Sequence, residues 1–285
     1  MLGYLLVNSN FSSEKFLHLY ELLISSFKEE GIELEIKKAR DFFDLKSLKR
    51  PDFVLFWDKD IYLGMRLEEA HIRLFNPIQS ILAADNKALT YLALEKAGIR
   101  IPKTLYGPKT FEGMGHLDYS ILEEGERLFG YPMVIKEVYG SFGQQVYLAK
   151  DYEGAVNIIK GLGYKEYIVQ EFIASSFGKD VRVNIVGEEE VVSMIRHSEN
   201  DFRSNISSGG HGEKYEPSIE MKNLACRASN ALGLDFAGVD ILFGEDGEPI
   251  VCEVNSNPQF ASTLEATGVN LGEYIAKYIK KALKG

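Results

Sequence analysis

Short apolar runs alternate with amphipathic stretches along the chain, and their order predicts an α/β unit followed by two α+β units. Residues 2–7 (LGYLLV) are uniformly apolar, as a buried strand requires. A helix is expected over about 13–29, opened by Ser12 or Ser13 and closed at Gly31. Strands near 33–37 and at 53–57 complete the first unit, and Asn76-Pro77 breaks the pattern. Asp85 then reads as an N-cap for the helix NKALTYLALEKAG, which Gly98 stops and Pro102 follows. Residues 103–130 should carry one strand and one helix. Beyond them come the strand YPMVIKEV, the loop YGSFGQQ, the strand VYLAK, a helix capped by Asp151, and the strand EYIVQEFI. The last third reads as mostly antiparallel: DVRVNIV, the turn GEEE and VVSMIRH, then a polar stretch over 198–213 and a helix at 218–232. AGVDILF, the turn GEDGE, PIVCEVN and a C-terminal helix finish the chain. No internal repeat is visible. Expected units are 1–76, 77–168 and 169–285.

The final hairpin carries the most chemistry. With Asp246-Gly247 as a two-residue turn, Glu245 faces Glu248, Phe243 faces Ile250, Leu242 faces Val251, and Asp240 faces Glu253. Alternation then puts Asn255 on the face of Glu253. Two carboxylates so placed sit roughly 5 Å apart at Cβ and repel unless a cation lies between them. Oxygen-only ligands favour magnesium, with manganese as an alternative. The bland reading has one acid pointing to solvent, but the flanking residues are apolar and unpaired buried acids are rare.

A second cue is the loop Tyr139-Gly140-Ser141-Phe142-Gly143-Gln144, which joins two strands and so is not a P-loop. Gly140 and Gly143 would let backbone N–H groups approach an anion and let the loop close as a flap. Lys136 ends the strand feeding it, well placed to bind phosphate as a point charge.

Composition narrows the field. The 285 residues are 45% apolar with a formal charge of −10, which argues against a nucleic-acid surface. The two cysteines, Cys226 in a helical pattern and Cys252 in an apolar strand, read as reduced, buried and hydrophobic, and exclude a disulfide framework or CxxC zinc site. Five histidines, isolated in sequence, show no metal motif. With no leader-like N-terminus and no bilayer-length apolar run, the expected location is the cytoplasm, away from membranes.

Taken in order, Lys87 after Asp85-Asn86, Lys136 before its glycine hairpin, QEFI at 170–173, GKDVRV, DFRSN, AGVDIL, and CEVNSNPQF with TLEATGVNL make a series. From about residue 76 to 280 it resembles the ATP-grasp superfamily and, within it, the RimK-like glutamate-ligase branch; residues before 76 match only by layout. The resemblance implies an ATP-grasp fold: an α/β pre-ATP-grasp unit and two α+β subdomains clamping ATP. It places Lys87, Lys136, Gly140, Ser141 and Gly143 at the phosphates. Gln170, Glu171, Phe172 and Ile173 would form the hinge strand at adenine, and Asp180 would bind the ribose. Arg182 and Arg203 would lie near the triphosphate or acyl-phosphate. Asp240, Glu253 and Asn255 would hold magnesium, and Arg196 and Asn205 would contact the reacting carboxylate. Each residue alone also has an ordinary reading: Lys87 as a solvated charge, Phe172 and Ile173 as core, the arginines as surface ion-pair partners.

The implied activity is ATP-dependent joining of a small-molecule or peptide carboxylate to an amine or amino acid through an acyl-phosphate, with glutamate a family expectation as donor. Positioning and charge neutralisation would do the work, with the 140–143 flap and the 204–213 loop excluding water. Rivals are a small-molecule kinase, a synapsin-like regulatory ATP-binder, and a D-alanine–D-alanine type ligase. A homo-oligomer is compatible with the resemblance.

Overall fold

The structure is a computed structural model describing residues 1–11, 13–141, 143–204 and 209–284. The N-terminal sheet is parallel, in the order β2-β1-β3-β4, from β1 (Leu2–Val7), β2 (Glu33–Lys37), β3 (Phe53–Trp57) and β4 (Leu74–Phe75). The central strands are apolar on both sides because both faces are covered. Helix α1 (Glu14–Glu29) buries Leu19, Leu23 and Phe27 against one face. Helices α2 (Ile61–Glu69) and α3 (Ile78–Asp85) bury Leu63, Leu67, Ile78 and Ile81 against the other. Neither α2 nor β4 was anticipated from the sequence.

Asp85 ends α3 instead of capping the next helix. The cap of α4 (Lys87–Lys96) is Asn86, whose side chain accepts from the Leu89 N–H at 3.0 Å. Two helices therefore meet at a corner, and Lys87 opens the second.

A second sheet, antiparallel and ordered β5-β8-β6-β7, combines β5 (Thr104–Tyr106), β6 (Met133–Glu137), β7 (Val146–Ala149) and β8 (Tyr167–Glu171). Helices α5 (Ser120–Phe129) and α6 (Tyr152–Leu162) cover it through Leu122, Ala155 and Ile159. The boundary expected at residue 168 falls inside β8, both of whose partners belong to this sheet.

The third sheet, antiparallel in the order β11-β10-β9-β12-β13, contains β9 (Lys179–Val186), β10 (Glu189–His197), β11 (His211–Lys214), β12 (Phe236–Phe243) and β13 (Pro249–Asn255). Strand β11 forms within the stretch expected to be loop and lid; Met194 to His197 pair with it. That pairing brings His197 and His211 together, although they are far apart in sequence. Helix α7 (Ile219–Ala231) and α4 cover one face of the sheet, sharing a core of Tyr91, Leu94, Val183, Ala225 and Val239. Helices α8 (Ala261–Thr267) and α9 (Leu271–Ala282) follow β13, and α9 returns to α1, burying Leu271, Ile275 and Ile279 beside Phe27. Among the described residues no helix is long and apolar enough to cross a membrane.

Asn76 ties the N-terminal sheet to the third one. Fully buried, its amide donates to the carbonyls of Phe236 (3.0 Å) and Ser256 (2.8 Å) and accepts from the N–H groups of Asp235 (2.6 Å) and Phe236 (3.1 Å). What reads as a break in the sequence is a seam.

Candidate active site

The β12–β13 hairpin places Asp240 opposite Glu253, as the sequence predicts, but by another route. Gly244 N–H bonds Glu248 O (2.8 Å) and Gly247 N–H bonds Gly244 O (3.0 Å), closing a loop one residue longer than an Asp-Gly turn. Gly247 takes the left-handed conformation (φ 79°). Phe243 thus pairs with Pro249, Leu242 with Ile250 and Ile241 with Val251, each one residue off the expected register. A bulge at Cys252 absorbs the difference and restores Asp240 opposite Glu253 and Gly238 opposite Asn255.

Between the second and third sheets lies a cleft of about 920 Å³. Lys87, Lys136, Gly140, Ser141, Gly143 and Arg203 line it, as do Gln170, Glu171, Phe172, Ile173, Asp180 and Arg196, with Asp240 and Glu253 beyond. The residues the sequence scattered over more than 160 positions are thereby gathered. Arg182 and Asn255 line an adjoining chamber of about 1370 Å³ instead. Lys87, Gly140, Ser141, Arg196 and Glu253 belong to both, so the two are continuous. Asn205 lies outside the described residues.

Cations are concentrated around the loop. Lys87 is turned inward, donating from Nζ to Gly140 O (3.1 Å), and burial lowers its pKa. Arg203 donates from Nη1 to Gly143 O (2.6 Å) and is otherwise held by Asp201, which keeps its pKa raised. Lys136 is buried; its Nζ donates to the Tyr91 hydroxyl (3.2 Å) and lies 3.8 Å from Cys252 Sγ. Burial opposes its charge, but the acidic neighbours Cys252, Tyr91 and Glu253 hold its pKa above the usual lysine value. The glycines have separate reasons. Gly143 sits at φ 73°, while a Cβ on Gly140 would come within 2.6 Å of the Gln145 side chain.

Two acids expected to meet ligand are also held by arginines. Asp180 accepts from Arg196 Nε (2.7 Å) as well as Nη2, so its carboxylate is engaged where a free ribose contact was expected. Asp240 accepts from Arg182 through both Nε and Nη2 (2.7 Å for the latter), and from Arg196 Nη2 at 2.9 Å. Burial alone would raise the pKa of Asp240; the two guanidiniums bring it below the usual value. These arginines are buried ion-pair partners, not surface ones.

The expected hinge strand stops short. Strand β8 ends at Glu171, whose N–H bonds Lys103 O (2.9 Å), so Phe172 and Ile173 fall in the connection beyond it. Phe172 packs edge-on against Phe177 and Phe202. Gln170 is buried, donates to Thr104 Oγ1 (2.7 Å) and leaves its Oε1 without a partner.

For a divalent cation, Glu253 is partly exposed where the two cavities join, and the Asn255 Nδ2 turns to Gly238 O (3.4 Å), leaving Oδ1 available. Asp240 Oδ1, which among the described residues accepts only from Arg182 Nε, retains acceptor capacity beyond its guanidinium bond. Oxygen donors only, on one face, fit magnesium. No group of three His, Cys, Asp or Glu side chains suited to a metal occurs among the described residues. Sequence reasoning missed Tyr91 and the Cys252 thiol. Only the Lys-Glu-Cys-Tyr cluster in space reveals them, because Cys252 follows an apolar strand pattern.

Comparison with known proteins identifies the family and the fold. Residues 84–279 match the model of the RimK-like ATP-grasp domain. The chain is 38% identical over 258 residues to the uncharacterised MG012 homologue of Mycoplasma pneumoniae, covering 88% of this chain and 89% of that one. It is 36% identical over 257 residues to human N-acetylaspartylglutamate synthase A, covering 89% of this chain but spanning only 64% of the relative. Among solved structures, D-alanine–D-alanine ligase of Bacillus anthracis complexed with ATP superposes with a TM-score of 0.77 at 19% identity, covering 100% of this chain and 98% of the other. Fold, cleft and sequence together show that this chain belongs to the RimK-like family of ATP-grasp proteins.

Proposed function

We propose that the chain is an ATP-dependent carboxylate–amine ligase working through an acyl-phosphate. The observation that supports it most is Glu253, which lies where a cation-lined cleft meets a second chamber and faces Asp240 across one hairpin. ATP fits the cleft and the acid substrate the chamber. A carboxylate oxygen attacks the γ-phosphorus and ADP leaves; an amine then attacks the acyl carbon, phosphate leaves, and the nitrogen loses a proton.

Magnesium, held by Glu253, Asn255 and Asp240, supplies charge neutralisation at the phosphoryl oxygens when bound. Lys87 and Lys136 bind the phosphates, with Gly140, Ser141 and Gly143 offering backbone beside them. Arg203 stabilises charge developing on the acyl-phosphate. Arg182 and Arg196 act through Asp240, keeping it ionised and oriented. Gln170 Oε1, buried and unpartnered, and the backbone after Glu171 receive the adenine. Glutamate is the first amine to test, since the human relative is named for a product containing it.

ADP release should require a carboxylate and an amine together. Glu253→Gln should lower turnover by about 100-fold or more, as expected when a charge-stabilising group is lost, with an unchanged melting midpoint. Near-normal turnover in that variant removes the cation assignment, and ADP release on a carboxylate or alcohol alone makes the protein a kinase. Asp240→Ala is the poorer probe, because it strands two buried guanidiniums, a defect worth about 3–5 kcal/mol.

A further inference from the structure

The second chamber is walled on one side by the N-terminal unit, at a place that the sheet topology singles out. From β1 the chain crosses through α1 to β2 on one side, whereas β3 lies on the other side of β1. Connections leaving the ends of β1 and β3 therefore diverge, and such a switch point opens a ligand crevice at the carboxyl ends of parallel strands. Asn8 follows β1 directly, and Asp58 follows β3 directly. Both line the chamber.

Asp58 is 7% exposed and enters no ion pair among the described residues. One carboxylate oxygen, Oδ1, accepts from Asn8 Nδ2 (3.0 Å) and the Lys59 N–H (2.7 Å). No hydrogen bond reaches Oδ2 among the described residues. Burial raises its pKa. The neighbouring Asn257 donates to the Asp58 carbonyl (3.2 Å), and its own Oδ1 is buried without a partner. Asn257 Oδ1 is thus a buried acceptor without a donor, costly unless something meets it, and beside it Asp58 Oδ2 has no protein donor among the described residues. Phe11 and Phe16, stacked at 4.7 Å, line the chamber with Trp57. Its other wall carries Arg182, Arg196 and Glu253.

We infer that the acid substrate bears an amino group, held as an ammonium by Asp58 and Asn257 while its carboxylate lies at the Glu253 end. An ammonium brings three donors and a charge, which answers both acceptors. The amine that attacks the acyl carbon must be unprotonated and free, so the group clasped at Asp58 belongs to the acid and not to the nucleophile. This inference rests on the ligase reading for the roles of the two substrates, but not for the binding itself.

The test is calorimetric binding, with ADP and magnesium present, of free α- and ω-amino acids and dipeptides, each paired with its N-acetyl derivative. At least one free amine should bind about tenfold or more tightly than its acetylated partner, a difference of about 1.4 kcal/mol. Asp58→Asn, which keeps the shape and the Asn8 contact, should reduce that preference to threefold or less. Acetylated forms binding as well or better throughout, no binding by any pair, or a preference that survives in Asp58→Asn overturns the inference. Should that variant fail to fold, the wild-type preference decides alone. Amine preference without ATP turnover on any acid–amine pair sinks the ligase reading and leaves the subsite standing, whereas turnover confined to acids without an amine does the reverse.

Discussion

Asp58 and Asp240 are both buried carboxylates whose surroundings drive them in opposite directions. Around Asp240, two guanidiniums outweigh the cost of burial and lower the pKa; around Asp58, burial prevails and raises it. A folded-state pKa raised above the unfolded one stabilises the fold at low pH, and that stabilisation is lost as pH rises through the raised value. Asp58→Asn should therefore raise the melting midpoint at neutral pH, with the gain vanishing below about pH 4, where unfolded aspartate is also protonated. Thermal denaturation of both proteins across pH 3–8 measures it; a midpoint below wild type at neutral pH contradicts it. Asp240, Glu253 and Asn255 were legible because one hairpin sets their spacing. Asp58 was not, since its partners Asn8 and Asn257 lie 50 and 199 residues away and no local pattern links them. The arginine pairing of Asp180 was hidden likewise, in a contact between strands.

At the scale of elements, the hairpin shows how a right answer can rest on compensating errors. A two-residue turn was expected; the real loop is longer, and the Cys252 bulge cancels the slip. Bulges leave little trace in an apolar run, so neither feature was readable. Cys252→Ala keeps the backbone and should retain most turnover. Deleting residue 252 would remove the bulge and leave Glu253 opposite Asp240 and Asn255 opposite Gly238, so turnover should survive, which the ADP assay reads directly. Helix α4 makes a related point: its start was placed within a residue or two, but the cap is Asn86 and not Asp85. Asn86→Ala should cost about 1 kcal/mol of stability and weaken ATP binding by letting Lys87 drift, to be followed by denaturant unfolding and nucleotide titration.

For the molecule as a whole, the three-unit order was legible from periodicity, because long apolar strands and amphipathic helices declare themselves locally. How the units join was not. Asn76, expected to separate the first unit from the rest, satisfies four backbone groups across the seam. Asn76→Ala would leave buried N–H and C=O groups unmet and should cost roughly 3 kcal/mol or more, visible as a lowered urea midpoint. Helix α9, packed on α1 with Lys280 bonded to Glu30 at 2.8 Å, closes the same seam from the other end of the chain.

Lys87 and Arg203 each grasp a carbonyl of the glycine loop while facing the cleft. On the proposed reaction, incoming phosphates compete with those two neutral oxygens for the same donors. ATP, ADP and no nucleotide then amount to three degrees of fastening of one strap, and letting product go becomes a matter of handing two cations back to two carbonyls.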